Sequence, residues 1–397
     1  MVVESLAFGG DAVGHGEDGR VIFVPGGAPG DDVEVEIEAE HKAWLRTRLV
    51  RVVRPGPTRV VAPCPVFVAG CGGCQWQHVD VAAQRAAKDE IVTRALRNLP
   101  ATVEPIASPG PAYGWRRRAR LRFRRGTVGY ARHRSHELLD ATVCPQLEAP
   151  LEAALEVVRA ALGPVVEATG ELELLVDGAG AVQVALSGRG LEAVDAAALV
   201  GRAGIVSVIA GGRVHGAERL DLGDGPHPFW ARADAFAQAS APGNAALRAL
   251  VRGAAGDVRG RRALELFAGS GNFTRDLLAA GASVVAVEES AEALALARAN
   301  LAPWAERTTF LARPAEPPLP DGTFDLVLVD PPRTGLGVEL AGALAALACP
   351  TIYVSCDPQT LARDLAVLAA GRPMRAVPVD LMPQTFHIEI VVTIGAA

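Results

Sequence analysis

Cys356 closes the run TIYVS of residues 351–355 and precedes Asp357-Pro358. The β-branched and aromatic run reads as a buried strand, and Asp-Pro followed by a helical pattern reads as a helix start. The thiol is thus expected at the carboxyl end of a strand, where open α/β sheets bind their ligands. A neighbouring helix N-terminus is expected to lower its pKa and favour the nucleophilic thiolate. A lone cysteine in such a place is more often a buried structural residue. Three other stretches argue for chemistry: ELFAGSGNFT at 265–274, DPPR at 330–333 and MPQTFHIEI at 382–390.

The first of these follows a strand pattern and opens a helix. Gly269 and Gly271 allow a tight turn and a close approach of backbone to ligand. A dinucleotide fingerprint needs a third glycine, where this chain has Asn272, Phe273 and Thr274. The shorter turn suits S-adenosylmethionine, which has no phosphate. Glu288 ends the next strand, where a carboxylate can accept from ribose hydroxyls. Asp330-Pro331-Pro332-Arg333 ends another.

Proline pairs of this kind often mark methyl transfer to nitrogen, but there an aromatic residue follows. Arginine at 333 and a cysteine on the adjacent strand suit methylation of a pyrimidine carbon instead. Carbon 5 of uracil is a weak nucleophile until a thiolate adds to carbon 6. A base must afterwards remove the carbon 5 proton, and His387 and Glu389 are the candidates, expected on one face of a strand.

The elements that must position these residues can be read from the rest of the chain. Its 397 residues suggest two or three domains. No apolar run reaches spanning length, and MVVESLAFGGDAVG lacks the features of a signal peptide, so a cytoplasmic protein without a membrane helix is expected. Six cysteines are then candidates for metal binding or catalysis rather than disulfides. The net charge of −6 argues against indiscriminate polyanion binding and leaves room for a local basic patch.

Residues 1–55 carry short strand patterns at 21–25, 33–38 and 45–53 between Gly, Asp and Pro clusters, which suggests a small barrel. CPVFVAGCGGCQWQH at 64–78 brings Cys64, Cys71 and Cys74 together, and Cys144 precedes Pro145. Thiolates at this spacing can hold zinc or an iron–sulfur cluster. Three clustered cysteines and one distant Cys-Pro lean towards a four-iron four-sulfur cluster. Cys349 has no motif around it and reads as core.

In WRRRARLRFRRGTVGYARHR, residues 115–134, Arg116, Arg118, Arg120, Arg122 and Arg124 recur at period two and should share one strand face. Their mutual repulsion points to a polyanionic partner, and guanidinium forks suit phosphates. From about residue 240, strands at 263–268, 283–288, 324–330 and 351–355 alternate with helices. This is the pattern of a doubly wound parallel sheet.

Together these stretches resemble the RNA uracil-5 methyltransferases of the 23S rRNA and tRNA type. The motifs are ELFAGSGNF, DPPR, YVSCDPQTLARD, MPQTFHIE, FAQAS and CPVFVAGCGGCQWQH, and they span nearly the whole chain. The N-terminal strands look like the OB-like TRAM barrel of the rRNA branch. The resemblance implies a nucleophile at Cys356 and a base at Glu389. It implies S-adenosylmethionine contacts at Gln238, Phe267, Asn272, Glu288 and Asp330. It places a four-iron four-sulfur cluster on Cys64, Cys71, Cys74 and Cys144, while RNA contacts at the arginine face are expected from its spacing and charge, with Arg333 near the extruded base. Where the family usually has Phe-x-Gln-x-Asn, this chain has Phe236, Gln238 and Ser240, and Pro314 replaces a polar residue near the adenine.

The expected architecture is α/β in three parts. Residues 1–57 form the TRAM-like barrel, 58–232 a central α/β domain with the cluster and arginine strand, and 233–397 a Rossmann-like methyltransferase domain. A monomer acting on 23S rRNA is the favoured reading. The alternatives are a tRNA uridine-5 enzyme, a cytosine-5 RNA methyltransferase, or a non-catalytic iron–sulfur RNA-binding protein.

Overall fold

The computed structural model describes residues 1–395. Strands β1 (Ser5–Leu6), β2 (Ala12–His15), β3 (Val21–Val24), β4 (Asp32–Glu40) and β5 (Trp44–Arg54) form a sheet ordered β1-β2-β3-β5-β4. Across the long β4–β5 hairpin, Glu34 pairs with Arg51 and Glu36 with Arg48. That face is therefore charge-balanced. The sheet docks on the rest of the chain through Trp76, which is fully buried and donates to Gly10 O at 3.0 Å.

Next come α1 (Pro65–Val68), α2 (Val81–Leu96) and β6 (Ala101–Val103). A second sheet follows, made of β7 (Arg118–Arg124), β8 (Thr127–Ala131), β9 (Leu138–Asp140), β10 (Thr169–Val176), β11 (Val182–Arg189), β12 (Ile205–Ala210) and β13 (Arg213–Gly216). Its order is β13-β12-β11-β10-β7-β8-β9. Helix α3 (Ala149–Leu162) buries Leu151, Leu155, Val158 and Leu162 in the same core as Leu121 and Phe123 of β7. The alternation of β7 thus turns its apolar residues inward and its arginines outward. The ribbon β14 (Leu220–Asp221) and β15 (Trp230–Ala231) leads out of this unit.

The last unit contains α4 (Ala241–Ala255), β16 (Arg262–Leu266), α5 (Thr274–Ala279), β17 (Ser283–Glu288), α6 (Ala291–Asn300), β18 (Thr308–Ala312), β19 (Leu326–Val329), α7 (Gly337–Ala345), β20 (Thr351–Ser355), α8 (Pro358–Leu368), β21 (Met374–Val379) and β22 (Glu389–Ile394). The sheet order is β18-β17-β16-β19-β20-β22-β21-β6. Strands β16 to β20 are mutually parallel where they pair, and β22 runs antiparallel between β20 and β21. Their near-continuous apolar runs suit strands covered on both faces. Chain order reverses at β16, which has β17 on one side and β19 on the other, so a ligand crevice opens at their carboxyl ends.

One boundary differs from the sequence reading, which kept residues 58–232 together. Strand β6 pairs in parallel with β21, and α2 buries Val92 and Leu96 in the same core as Leu361, Leu365 and Leu368 of α8. Helix and strand therefore belong to the C-terminal sheet. A helical pattern announces an apolar face, but not which surface will cover it.

Candidate active site

Strand β20 ends at Ser355, which pairs with Ile390 of β22. One residue on along β20 and one residue back along β22, this antiparallel register brings Cys356 beside Glu389. Asp357 caps α8: its carboxylate accepts from Gln359 N at 2.9 Å and Thr360 N at 3.0 Å. This cap corrects the expectation of a lowered thiol pKa. The helix N-terminus already has its anion, and Asp357 itself disfavours a second one. Burial first, then Glu389, push the Cys356 thiol up to about 12, with Arg333 acting in the opposite direction.

Glu389 is buried, 8% exposed, and burial together with Asp330 pushes its carboxyl up to about 8. Burial alone pushes Asp330 up to about 7. Two carboxyls and a thiol in one desolvated crevice cannot all ionise cheaply. A proton acceptor poised near neutrality suits general-base work.

Arg333 lies in the loop after β19. Helix α8 holds that loop: Asp364 accepts from Leu336 N at 2.6 Å and from the Tyr353 hydroxyl at 2.8 Å, and Arg363 donates to Thr334 O at 2.7 Å. The Arg333 Nη2 atom lies 3.4 and 3.5 Å from the two ring nitrogens of His387. Burial first, then Arg333, Lys88 and Arg116, hold that ring down to about 4, so it is neutral near pH 7. Because β22 begins at Glu389, His387 sits in the loop ahead of the strand, and period two does not relate the pair. Of the two candidate bases, only Glu389 titrates in the useful range.

The glycine turn follows β16. Phe267, Gly269 and Gly271 all take positive φ, at 62°, 55° and 87°. A Cβ on Gly271 would lie 3.1 Å from the Leu301 side chain, so the turn packs tightly on its far side. Glu288 at the end of β17 accepts from Gly269 N at 2.9 Å and Ser290 N at 2.8 Å. These bonds fix its carboxylate and leave lone pairs for a diol. Asn272 and Asn244 exchange side-chain bonds at 2.8 and 3.0 Å, which ties the turn to α4. Ser240 caps α4, accepting from Gly243 N at 3.2 Å. Gln238 and Phe236 precede it, and Phe236 is 71% exposed.

The loop before Glu389 is held by residues that sequence reasoning missed. Gln84 of α2 and Gln384 exchange bonds at 2.9 Å, and Gln75 N and Trp76 N both donate to Gln384 O at 3.0 Å. Lys88, fully buried, donates to Asp380 at 2.6 Å. These pairs are about 300 residues apart in the chain, and no local pattern announces them.

Cys64, Cys71, Cys74 and Cys144 line one small cavity together with Arg116, Tyr130, Gln77 and Gln146. Among the described residues, no three His, Cys, Asp or Glu side chains converge as ligands of a single ion would. The thiols ring a space instead. Cys64 Sγ accepts from Phe67 N and Cys71 Sγ from Gly73 N, each at 3.4 Å. Burial pushes the thiols of Cys71, Cys74 and Cys144 up. Both polar atoms of the Gln146 amide and the Tyr130 hydroxyl are buried without a protein partner. A polar occupant with a positive metal core would reverse the cost of the thiolates and satisfy such groups.

Arg120, Arg122 and Arg124 are exposed on one face of β7, and Arg118 is half-buried there. Arg118 pairs with Glu173 and Arg120 with Glu171 on neighbouring β10. Arg116 precedes the strand and lines the cysteine cavity. The mutual repulsion expected of five arginines is thus relieved at two positions by glutamates, leaving Arg122 and Arg124 as the outward charges of the strand.

Comparison with known proteins follows these three regions. The TRAM domain family matches residues 2–50, a methyltransferase domain family matches 263–332, and the tRNA (uracil-5-)-methyltransferase family matches 311–396. The chain is 33% identical to the 23S rRNA (uracil(1939)-C(5))-methyltransferase of Pectobacterium atrosepticum, over 98% of this chain and 92% of that one. It is equally identical to the protein of that name from Azoarcus, over 98% and 97%. An RNA methyltransferase of Gloeobacter violaceus is 32% identical over 99% and 95%. In fold, the chain resembles the Pyrococcus abyssi tRNA (uracil-54, C5)-methyltransferase solved with S-adenosyl-L-homocysteine, with a TM-score of 0.79, 23% identity and 99% of each chain covered.

Proposed function

The chain belongs to the family of RNA uracil-5 methyltransferases, and from that premise we propose that it methylates carbon 5 of a uridine in 23S rRNA, with S-adenosylmethionine as methyl donor. The observation that carries this reading is Cys356 beside Glu389, with Asp330 and Arg333 at the same strand ends and the glycine turn next to them. Similarity along the whole chain to relatives named for 23S rRNA supports the choice of RNA.

In the proposed reaction Cys356 Sγ, as thiolate, adds to carbon 6 of the uracil. The electrons of the 5,6 double bond move to the carbon 4 carbonyl as an enolate. Carbon 5 then takes the methyl group, and the donor leaves as its neutral thioether. Glu389 removes the carbon 5 proton, the double bond re-forms, and the Cys356 thiolate is expelled. Arg333 favours the thiolate and faces the developing enolate charge. Gln238, Phe267, Asn272, Glu288 and Asp330 hold the methyl donor. Phe236, exposed beside Gln238, offers a ring on which an extruded base can stack.

A four-iron four-sulfur cluster on Cys64, Cys71, Cys74 and Cys144 is part of this reading, supported by the ring of four thiols around one cavity. It would serve as a cross-link between chain segments, since the transfer needs no electron. Arg122 and Arg124 contact RNA phosphates. Release of tritium from RNA carrying 5-tritiated uridine tests the reaction. Mass mapping of rRNA and tRNA from a deletion strain tests the substrate: a lost methyl group in 23S rRNA supports the proposal, and one lost from tRNA instead overturns that choice.

A further inference from the structure

We propose that Arg117 is a positioning residue that couples the cysteine-lined cavity to the methyl-donor site through the loop at Gln238. The inference rests on the reading above, which gives Gln238 to the donor and the four cysteines to a cluster. Arg117 is buried, 8% exposed, and its Nε donates to Gln238 O at 3.1 Å. Its backbone N donates to Ala239 O at 2.8 Å. On the other edge of the same segment, Arg116 N donates to Gln146 O at 2.8 Å and Arg116 O accepts from Glu148 N at 3.0 Å. Bridges at Arg116–Leu147 and Arg116–Ser240 complete a three-stranded ribbon.

One side of that ribbon is the Cys144 segment, anchored by Leu147 N donating to Cys144 O at 3.0 Å. The other side is the loop that ends in Ser240, the cap of α4, and α4 holds Asn272 of the glycine turn through Asn244. An unbroken hydrogen-bonded path therefore runs from a cluster ligand to two donor-binding positions. Gln146, in the middle of the path, has its amide buried and unpartnered at the cavity wall. Whatever fills the cavity fixes Gln146, and with it the register of the ribbon. Coupling of this kind is reciprocal: a donor bound at Gln238 also holds the cavity closed.

The full-length chain, purified without oxygen, is compared with Arg117→Ala and Arg117→Lys. Titration with S-adenosylhomocysteine and iron content are measured on the same samples. We expect Arg117→Ala to keep its iron but bind S-adenosylhomocysteine about tenfold more weakly, as loss of a buried charge-assisted bond implies. KM for the donor should rise with it while kcat holds, and Arg117→Lys should recover part of the affinity. In the wild-type chain, S-adenosylhomocysteine should slow iron loss to a chelator several-fold. Unchanged affinity in Arg117→Ala overturns the inference. So does an unchanged rate of iron loss in the wild type, a measurement that stands even where the variant does not fold. A wild-type chain without iron overturns the cluster reading and the inference with it, whereas one without affinity for S-adenosylhomocysteine overturns the proposed function as well.

Discussion

Cys356 stands one residue beyond Ser355, and Glu389 one residue before Ile390, the two residues paired across antiparallel β20 and β22. Nucleophile and base candidates are thus locked together by strand register rather than by loop flexibility. The pairing has an electrostatic consequence, since Glu389 pushes the Cys356 thiol up.

Replacing Cys356 by Ala should abolish methyl transfer and leave S-adenosylhomocysteine affinity within about twofold of wild type, because the thiol is not among the residues proposed to hold the donor. Measured transfer to carbon 5 by this variant would falsify the covalent route.

Glu389→Gln should stall after methylation, since the carbon 5 proton stays in place and the thioether bond to Cys356 cannot break. The expected product is a protein–RNA band that survives denaturation. Near wild-type turnover would assign the proton transfer to another group.

The raised carboxyls set a pH dependence of known sign. Glu389 and Glu265 are each pushed up to about 8, and Asp330 to about 7. The folded chain therefore holds protons that the unfolded chain has released above the ordinary carboxylate range. Stability should be greatest at the acidic end and fall as pH rises from about 5 to 8. Tm measured across that window should drop less steeply in Glu389→Gln. The activity term kcat/KM should rise through the same upper region as Glu389 ionises. A slope in the variant as steep as in wild type would remove Glu389 from the account.

Lys88→Ala leaves Asp380 buried with only Arg85, 3.7 Å away, as a cationic neighbour. Breaking a buried pair in this way costs about 3–5 kcal/mol. Because Lys88 also donates to Met382 O at 3.2 Å, the loop that carries His387 into Glu389 loosens too. Denaturant unfolding should report the loss, and kcat should fall further than RNA affinity. A variant as stable as wild type would show that Arg85 suffices.

Arg122→Gln with Arg124→Gln should weaken RNA binding and flatten its salt dependence by about one slope unit per lost phosphate contact. Arg118 and Arg120, already paired with Glu173 and Glu171, should change it less. Equal slopes for wild type and the double variant would mean that this face is solvated and the RNA path lies elsewhere.

What the amino-acid sequence determined by itself is the set of local devices. The strand, turn and helix around Cys356, the Asp357 cap, the positive-φ glycines of the donor turn and the inward–outward alternation of β7 all depend on residues within a few positions of one another. Backbone sterics and short hydrogen bonds decide them. The tertiary structure alone decided what each device faces. Desolvation and three neighbouring carboxylates raise the Cys356 thiol that its helix was expected to lower. Glu171 and Glu173, some fifty residues on, neutralise part of the arginine face. Helix α2 crosses into the C-terminal sheet, and Lys88 finds Asp380 292 positions away. Burial and charge act through space and not along the chain, so these partners exist only once the sheets have packed.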